Sequence, residues 1–353
     1  MHQIPEYYEQ RISELQAEID YLHGLLDLAK IPYKKSTKNT DDISGNLEII
    51  RSDKVYVGVE NVKPRMKNMI RRMAAFSNPE FYKNMKMGFS TKGIPRIIFC
   101  GYDETGYICL PRALYDPLVE RLKASDIKYT VEDFRQAGRQ LKVSFKGELY
   151  REQQEAADTM LQYDNGILGA TTAFGKTVVG AYLVAARKIN TLILVHNTEI
   201  LKNWVEDLGR FLDIDEELPE YQTKTGRVKK RKNIIGKLYA GHNSMTGIID
   251  VAMFSSLGKR GEINPVIEEY GMVIMDECHH GAAQTVEDVI GSAKAKFVYG
   301  LTATPKRDDG MEKKVYMQFG PIRYRYTAKD RAEKQGIAHY IYPRFTRLGA
   351  GCD

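Results

Sequence analysis

Hydrophobic and polar residues change their spacing along the chain, and each change marks a different predicted region. Near the start, apolar residues recur every three or four positions with charged residues between them: Ile12, Leu15, Ile19, Leu22 and Leu26. This spacing predicts a heptad helix over residues 1–30, which either self-associates through residues 12–29 or packs on its own domain. The polar residues 31–48, with Pro, Ser and Gly, predict a linker.

Residues 49–148 mix helical and strand patterns. The segment VKPRMKNMIRRMAAF places Met66, Met69, Ile70 and Met73 at helical spacing, surrounded by lysines and arginines. We expect this apolar stripe to pack in a core, while the basic face is either solvated or contacts phosphates. The segment PRIIFCGYDETGYICLPR predicts two strands joined by a turn. A helix in LYDPLVERLKA and strands in IKYTVEDF and LKVSF complete a small predicted α+β accessory domain.

After Glu148 the apolar residues form continuous runs separated by helical segments. The runs are GILGA, TLILV, IIDVAMF, GMVIMD and FVYGLTA, and one intervening helix is TEILKNWVEDLGRFL. Continuous apolar runs are typical of strands that are buried on both faces of a parallel sheet. The pattern therefore predicts a three-layer α/β domain over residues 149–345, followed by a tail over residues 346–353.

Composition adds few constraints. The 353 residues include 52 Lys and Arg against 46 Asp and Glu, a formal net charge of +6 that permits a nucleic-acid partner without requiring one. The four cysteines form no closely spaced pair, which favours reduced thiols and a cytoplasmic location. The first residues are too charged for a signal peptide, and no apolar run reaches the ~18 residues of a membrane span, so we expect no membrane partner.

The segment GILGATTAFGKTVVGAYLVAARK places a glycine, a lysine and a threonine where a predicted strand turns into a helix. In a phosphate-binding loop, backbone N–H groups and the helix N-terminus surround phosphate oxygens, the lysine reaches the terminal phosphates, and the hydroxyl binds Mg²⁺. A small residue, Ala170, replaces the usual first glycine. The candidate nucleotide-binding residues are Ala170, Thr171, Thr172, Ala173, Phe174, Gly175, Lys176 and Thr177.

Acids and hydroxyls follow two further predicted strands. GMVIMDECHH ends in Asp276 and Glu277, and FVYGLTATP ends in Thr302, Ala303 and Thr304. A phosphoryl-transfer site needs one carboxylate near Mg²⁺ and another group that orients the attacking water. Carboxyl ends of parallel strands form the ligand-binding edge of such a sheet. The neighbouring Cys-His-His run lacks a second ligand pair at metal spacing and does not predict zinc.

The segments ATTAFGKT, DECH and TAT, in this order, resemble motifs I, II and III of superfamily 2 helicases and translocases, most of all the XPB-like and type III restriction-like group. TLILVHNTEILKNWVEDLGRFL resembles motif Ia, IIDVAMFSSL resembles a segment that ends in a serine-leucine pair, and LYREQQEAAD resembles the nucleotide-sensing segment. The resemblance covers roughly residues 149–346. STKGIPRIIFC and CLPRALYDPLVERL resemble the accessory domain of bacterial members. The resemblance implies a RecA-like P-loop NTPase lobe with a parallel sheet.

The resemblance also implies a role for each motif residue. Lys176 and Thr177 would bind phosphates and Mg²⁺, and Gln153 would contact adenine. Asp276 would hold Mg²⁺ through water, and Glu277 would act as general base or water-orienting residue. The residues that would couple hydrolysis to nucleic acid are His279, Thr302, Ala303 and Thr304. Those that would touch the strand are His196, Asn197, Ser255 and Ser256.

These motifs predict an ATP- and Mg²⁺-dependent helicase or translocase that acts on DNA or RNA, with DNA the favoured partner. Such motors place ATP between two RecA-like lobes, and no second lobe fits in the residues after Thr304. We therefore expect a truncated product or fragment with weak ATP hydrolysis, which needs a second lobe from elsewhere. Two alternatives remain: a non-catalytic nucleic-acid-binding assembly module with a vestigial lobe, or the motor part of a restriction complex.

Overall fold

The computed structural model describes residues 45–334, except residues 224–225, 260–261 and 305–308. The predicted heptad helix, most of the predicted linker and the predicted tail lie outside the described residues. In the described part of the chain, no helix is both long enough and apolar enough to cross a membrane.

The first part of the described chain forms a five-stranded sheet in the order β5-β6-β2-β1-β7, together with a two-stranded ribbon of β3 and β4. The predicted amphipathic helix is present as α1, which buries Met66 and Ile70. The elements are β1 (Leu47–Arg51), β2 (Val55–Gly58), α1 (Pro64–Met73), β3 (Ala75–Ser77), α2 (Pro79–Lys86), β4 (Ile97–Phe99), β5 (Tyr102–Glu104), β6 (Tyr107–Leu110), α3 (Tyr115–Ala124) and β7 (Tyr129–Asp133).

The segment PRIIFCGYDETGYICLPR forms three strands, so the prediction of two strands was wrong. Its first strand pairs with β3, and its second and third strands form a hairpin. The chain changes partner near Gly101, where a Cβ atom would lie 2.5 Å from the carbonyl oxygen of Cys109. Glycine is therefore needed at the point where the apolar run is divided.

The second part forms an eight-stranded sheet in the order β15-β14-β16-β10-β19-β20-β9-β21, with β15 as its antiparallel edge strand. Three two-stranded ribbons, β8 with β11, β12 with β13 and β17 with β18, accompany this sheet. The strands of this part are β8 (Val143–Phe145), β9 (Asn165–Ala170), β10 (Thr191–Val195), β11 (Leu212–Ile214), β12 (Glu220–Gln222), β13 (Val228–Lys230), β14 (Ile235–Tyr239), β15 (His242–Asn243), β16 (Ile249–Met253), β17 (Gly258–Lys259), β18 (Glu262–Ile263), β19 (Met272–Asp276), β20 (Phe297–Thr302) and β21 (Ile322–Tyr326).

Helices separate these strands. They are α4 (Arg151–Leu161), α5 (Lys176–Arg187), α6 (Thr198–Phe211), α7 (Phe254–Leu257), α8 (Gln284–Gly291), α9 (Glu312–Phe319) and α10 (Ala328–Lys334); 3₁₀ turns cover Arg112–Leu114, Pro265–Glu269 and Cys278–Ala282. Every residue of β9 and β10 is buried, because helices cover both faces of the sheet. The five predicted apolar runs all became strands of this parallel sheet, which confirms the predicted α/β fold class.

The strand β8 belongs structurally with the large sheet's core. It pairs with β11, and Leu141 and Val143 lie in the same apolar cluster as residues of α5 and α6. The predicted division of the chain between Glu148 and Leu149 stays a prediction. The buried Arg112 links the two parts, since it donates hydrogen bonds to the carbonyl oxygens of Ala293 and Ala295.

Candidate nucleotide site

Three neighbouring parallel strands bring the predicted chemistry to one edge of the large sheet. Asp276 on β19 lies level with Leu301 on β20, and Leu301 lies level with Leu168 on β9. The phosphate-loop candidate, the acid pair and the threonine pair therefore follow strand ends on the same edge. At about 4.8 Å between adjacent strands, β9 and β19 are roughly 10 Å apart.

The loop from Thr171 to Gly175 has the backbone of an anion-binding turn. Ala173 and Gly175 have φ values of 64° and 87°, the left-handed region in which glycine is favoured. The chain then enters α5, whose first N–H groups have no partner within the helix. The Lys176 ammonium lies back across the loop and donates a hydrogen bond to the carbonyl oxygen of Ala170 at 3.1 Å. This arrangement presents N–H groups and a positive charge to one small volume.

Gln153 supports this loop from α4. Its Nε2 donates to the carbonyl oxygen of Phe174 at 2.8 Å, and its Oε1 accepts from the backbone N–H of Tyr150 at 3.0 Å. The side chain is buried, and a Cβ atom on Gly175 would approach Nε2 within 2.5 Å. Gln153 thus holds the loop in place through its side-chain amide, a role that the sequence did not indicate.

A cleft of about 200 Å³ opens beside the loop. Phe174 packs against Tyr326 with ring centroids 5.0 Å apart, and Gln153 lies in the wall. The other lining residues are Tyr150, Glu152, Ala173, Arg331 and Lys334. Aromatic rings and a guanidinium beside a phosphate loop suit a flat heterocyclic base. Sequence reasoning missed Tyr326 and Arg331, because both come long after the loop in the chain.

The acid pair is held by a residue that the sequence analysis did not single out. The indole Nε1 of Trp204 donates to Oδ2 of Asp276 at 2.8 Å, and the backbone N–H of Glu277 donates to Oδ1 at 2.9 Å. Burial raises the pKa of Asp276, while the Trp204 hydrogen bond and the charge of Lys176 act to lower that pKa. The loop that carries Lys176 and the Asp276 carboxyl therefore lie at the same edge of the sheet.

Two of the predicted coupling residues, Thr302 and Thr304, lie close to a ring nitrogen of a third, His279. The Nδ1 atom of His279 lies 3.0 Å from the Thr302 hydroxyl, 3.2 Å from Glu277 Oε2 and 3.5 Å from the Thr304 hydroxyl. Thr302 also accepts a hydrogen bond from the backbone N–H of Thr304 at 3.1 Å. Glu277 and the ends of β19 and β20 thus form one hydrogen-bonded cluster. Ala303 lies between the two threonines and contributes no polar side chain.

Cys278 does not share the site of its histidine neighbours. It is fully buried, and burial raises the pKa of its thiol. Its sulfur packs against Gly300, where a Cβ atom would lie 2.7 Å from Sγ. This cysteine is therefore a core residue.

The predicted strand-contact residues lie on two neighbouring strand ends at the same edge. Val195 pairs with Met253, so His196 and Asn197 come next to the segment that carries Ser255 and Ser256. The Asn197 side chain caps α6, because its Oδ1 accepts from the backbone N–H of Ile200 at 2.8 Å. The His196 ring lies 5.0 Å from the His280 ring. Nucleic-acid contact by these four residues stays a prediction.

Comparisons with known proteins agree with this geometry. Residues 146–307 match the family model of the type III restriction enzyme Res subunit. The DNA 3'-5' translocase XPB2 of Sulfurisphaera tokodaii is 30% identical over 195 residues, which is 55% of this chain and 39% of that protein. The DNA 3'-5' helicase XPB of Kineococcus radiotolerans is 32% identical over 197 residues, which is 54% of this chain and 31% of that protein. The chain thus spans well under half the length of these relatives.

The solved structure of the UvsW helicase from bacteriophage T4 has a similar fold. Its TM-score is 0.54 at 16% identity, and the match covers 79% of this chain and 99% of that chain. At this identity the likeness concerns the fold alone. The family model and the XPB relatives, in agreement with the motif order and the sheet edge, support a superfamily 2 helicase region of the XPB-like and Res-like kind within residues 146–307.

Proposed function

We propose that this chain is the ATP-binding part of a superfamily 2 helicase or translocase that acts on nucleic acid. The observation that carries the proposal is that the loop after β9, which contains Lys176, and the end of β19, which contains Asp276, lie at one edge of the sheet. Relatives named as helicases and translocases support the same function.

The residues at this edge suit ATP with Mg²⁺. The loop offers N–H groups and the Lys176 ammonium to phosphate oxygens, and the cleft at Tyr326 would receive the base. The buried hydroxyl of Thr171 has no hydrogen-bond partner among the described residues, as expected for a polar atom that faces a ligand. The hydroxyl of Thr177 and the carboxylate of Asp276 are hard oxygen ligands of the kind that Mg²⁺ prefers. When bound, Mg²⁺ would neutralise charge on the phosphates.

We infer that Glu277 orients or deprotonates the attacking water. Its carboxylate is half-buried and lies within 3.5 Å of both His279 and Thr302. A nucleic acid that moves the end of β20 would therefore change the position of Glu277 through these hydrogen bonds. This linkage is a physical route from strand contact to hydrolysis.

The remaining parts of the proposal concern the whole motor. We infer that DNA is the substrate, because the XPB relatives are named for action on DNA. A second RecA-like lobe would supply arginines to the phosphates, worth ~10³–10⁵ in rate in related NTPases, so this chain alone should hydrolyse ATP slowly. Residues 49–148 would form the accessory domain beside the lobe of residues 149–345.

The test is a titration of the chain with a fluorescent ATP analogue and Mg²⁺. The proposal predicts saturable binding that Lys176→Ala abolishes and that the exposed-lysine control Lys202→Ala leaves unchanged. Glu277→Gln should retain binding but slow hydrolysis, because it removes the base and keeps the shape. Equal affinity of wild type and Lys176→Ala would refute the assignment. Absence of any saturable binding would favour the assembly module.

A further inference from the structure

A basic cleft lies at the far edge of the large sheet, away from the nucleotide site. It is formed by the β12-β13 hairpin and by the β14-β15 hairpin, and has a volume of about 540 Å³. Among the described residues, no carboxylate lines the cleft. The cations that line it are Lys229, Lys230, Arg231, Lys232 and Lys237. Most of these cations belong to the segment VKKRK, at residues 228–232.

These cations are available to a ligand. Lys229, Lys230 and Lys232 are exposed, and no carboxylate of the described residues is ion-paired with any cation of the cleft. Several like charges crowded together repel one another, and this cost is relieved when an anion binds. The cleft therefore favours a ligand with several negative charges.

One cation of the cleft is fixed in place. The guanidinium carbon of Arg231 lies 4.2 Å from the ring centroid of Tyr221, and its Nη1 donates to the carbonyl oxygen of Asn243 at 3.3 Å. Planar guanidinium groups recognise phosphate by paired hydrogen bonds, and a fixed one loses less entropy on binding. Aromatic side chains also lie among the cations, since the rings of Tyr239 and His242 are 5.2 Å apart. Cations interleaved with aromatic rings are typical of grooves that bind nucleic-acid strands.

The position of the cleft favours a nucleic-acid strand over a membrane surface as its ligand. The strand β14 pairs in parallel with β16. The turn after Tyr239 therefore lies at the carboxyl ends of the strands, as do Ser255 and Ser256. The end of the cleft that contains Tyr239 and His242 therefore lies beside the ends of β10 and β16, which carry the predicted contact residues. A membrane surface would need a broad face, whereas these charges line a cleft.

We propose that this basic cleft binds the phosphate backbone of a nucleic-acid strand and extends its path across the lobe. The proposal rests on the proposed function, because it assumes that the strand crosses the same edge of the sheet. Phosphate contacts here would hold and orient the strand without reading its bases.

The test uses the full chain without nucleotide and a fluorescently labelled 20-nucleotide DNA strand, with anisotropy measured over a range of salt concentrations. Lys229→Ala/Lys230→Ala/Lys232→Ala should weaken binding about tenfold and reduce the slope of log affinity against log salt by about 2, since each lost phosphate contact contributes ~0.7. The matched control Arg121→Ala/Lys123→Ala/Lys128→Ala removes the same charge from exposed positions near α3 and should change the slope little.

The outcomes separate this inference from the proposed function. If wild type binds DNA and the cleft variant behaves like the control, the cleft proposal is wrong, while the motor remains. If the cleft variant loses affinity for phosphatidylserine vesicles but not for DNA, the ligand is a lipid surface and the proposal is also wrong. If wild type binds no nucleic acid at all, both proposals fail together, although ATP binding can still be measured.

Discussion

Trp204→Phe tests how the acid pair is held. Trp204 is buried in α6 and donates one hydrogen bond to Asp276, whereas phenylalanine keeps an aromatic ring there without the N–H donor. A hydrogen bond to a charged group contributes roughly 1.5–3 kcal/mol. Loss of the donor should therefore raise the pKa of Asp276, which burial already raises, still further.

The assay is the pH dependence of Mg·ATP affinity, measured by titration. Since the ionised carboxylate is needed for Mg²⁺, the acid limb of the profile should move to higher pH in Trp204→Phe. The same substitution also changes how the free energy of unfolding depends on pH. A carboxyl whose folded pKa is raised contributes stability that is present at low pH and lost as pH rises, so Trp204→Phe should destabilise the protein more at pH 7 than at acidic pH.

Tyr270→Phe is the matched control, because it removes a hydroxyl that donates to another buried carboxylate, Asp250, at 2.6 Å. Asp250 lies near the opposite end of the sheet, beside Leu192. The control should cost similar stability and leave the acid limb of nucleotide binding in place. If the acid limb does not move in Trp204→Phe, or moves equally in the control, the Trp204 hydrogen bond does not set the ionisation of Asp276.

Three further predictions concern other contacts. Gly175→Ala should lower nucleotide affinity and melting temperature, because it strains a φ of 87° and crowds Gln153. The control Gly209→Ala, in open space on a helix, should lower neither the affinity nor the melting temperature. Asp250→Asn should cost about 1–3 kcal/mol in urea unfolding, since an amide nitrogen cannot accept from Gly247, which now donates at 2.7 Å; an unchanged midpoint would contradict this. Thr302→Val should lower the ratio of nucleic-acid-stimulated to basal ATP hydrolysis severalfold, because His279 loses a partner at 3.0 Å; a ratio equal to wild type would exclude the coupling role.

The strands that carry the candidate site could be predicted because they are buried on both faces. Continuous apolar runs such as TLILV have few alternative structures, and the residues that follow them necessarily lie at strand ends. Three strands of the same sheet were missed, and one of them is the two-residue edge strand β15. IGKLY lies next to the antiparallel edge strand, and IRYRY is the terminal strand, so both retain polar residues that conceal their role.

Partners distant in the chain could not be predicted. Trp204 and Asp276 are 72 residues apart, and their contact depends on a strand order that local patterns do not encode. The strand in LKVSF was expected in the accessory domain, yet it pairs with β11, because an alternating pattern fits either sheet equally well. The basic run before β14 was readable as charge, but only the fold places it along the sheet edge.

The decisive measurement is a crystal structure of the chain with Mg²⁺ and a non-hydrolysable ATP analogue. We expect terminal phosphates within hydrogen-bond distance of Lys176 Nζ, and a metal ion whose bound water contacts the Asp276 carboxylate. A nucleotide bound elsewhere, or a metal ion remote from Asp276, would contradict it.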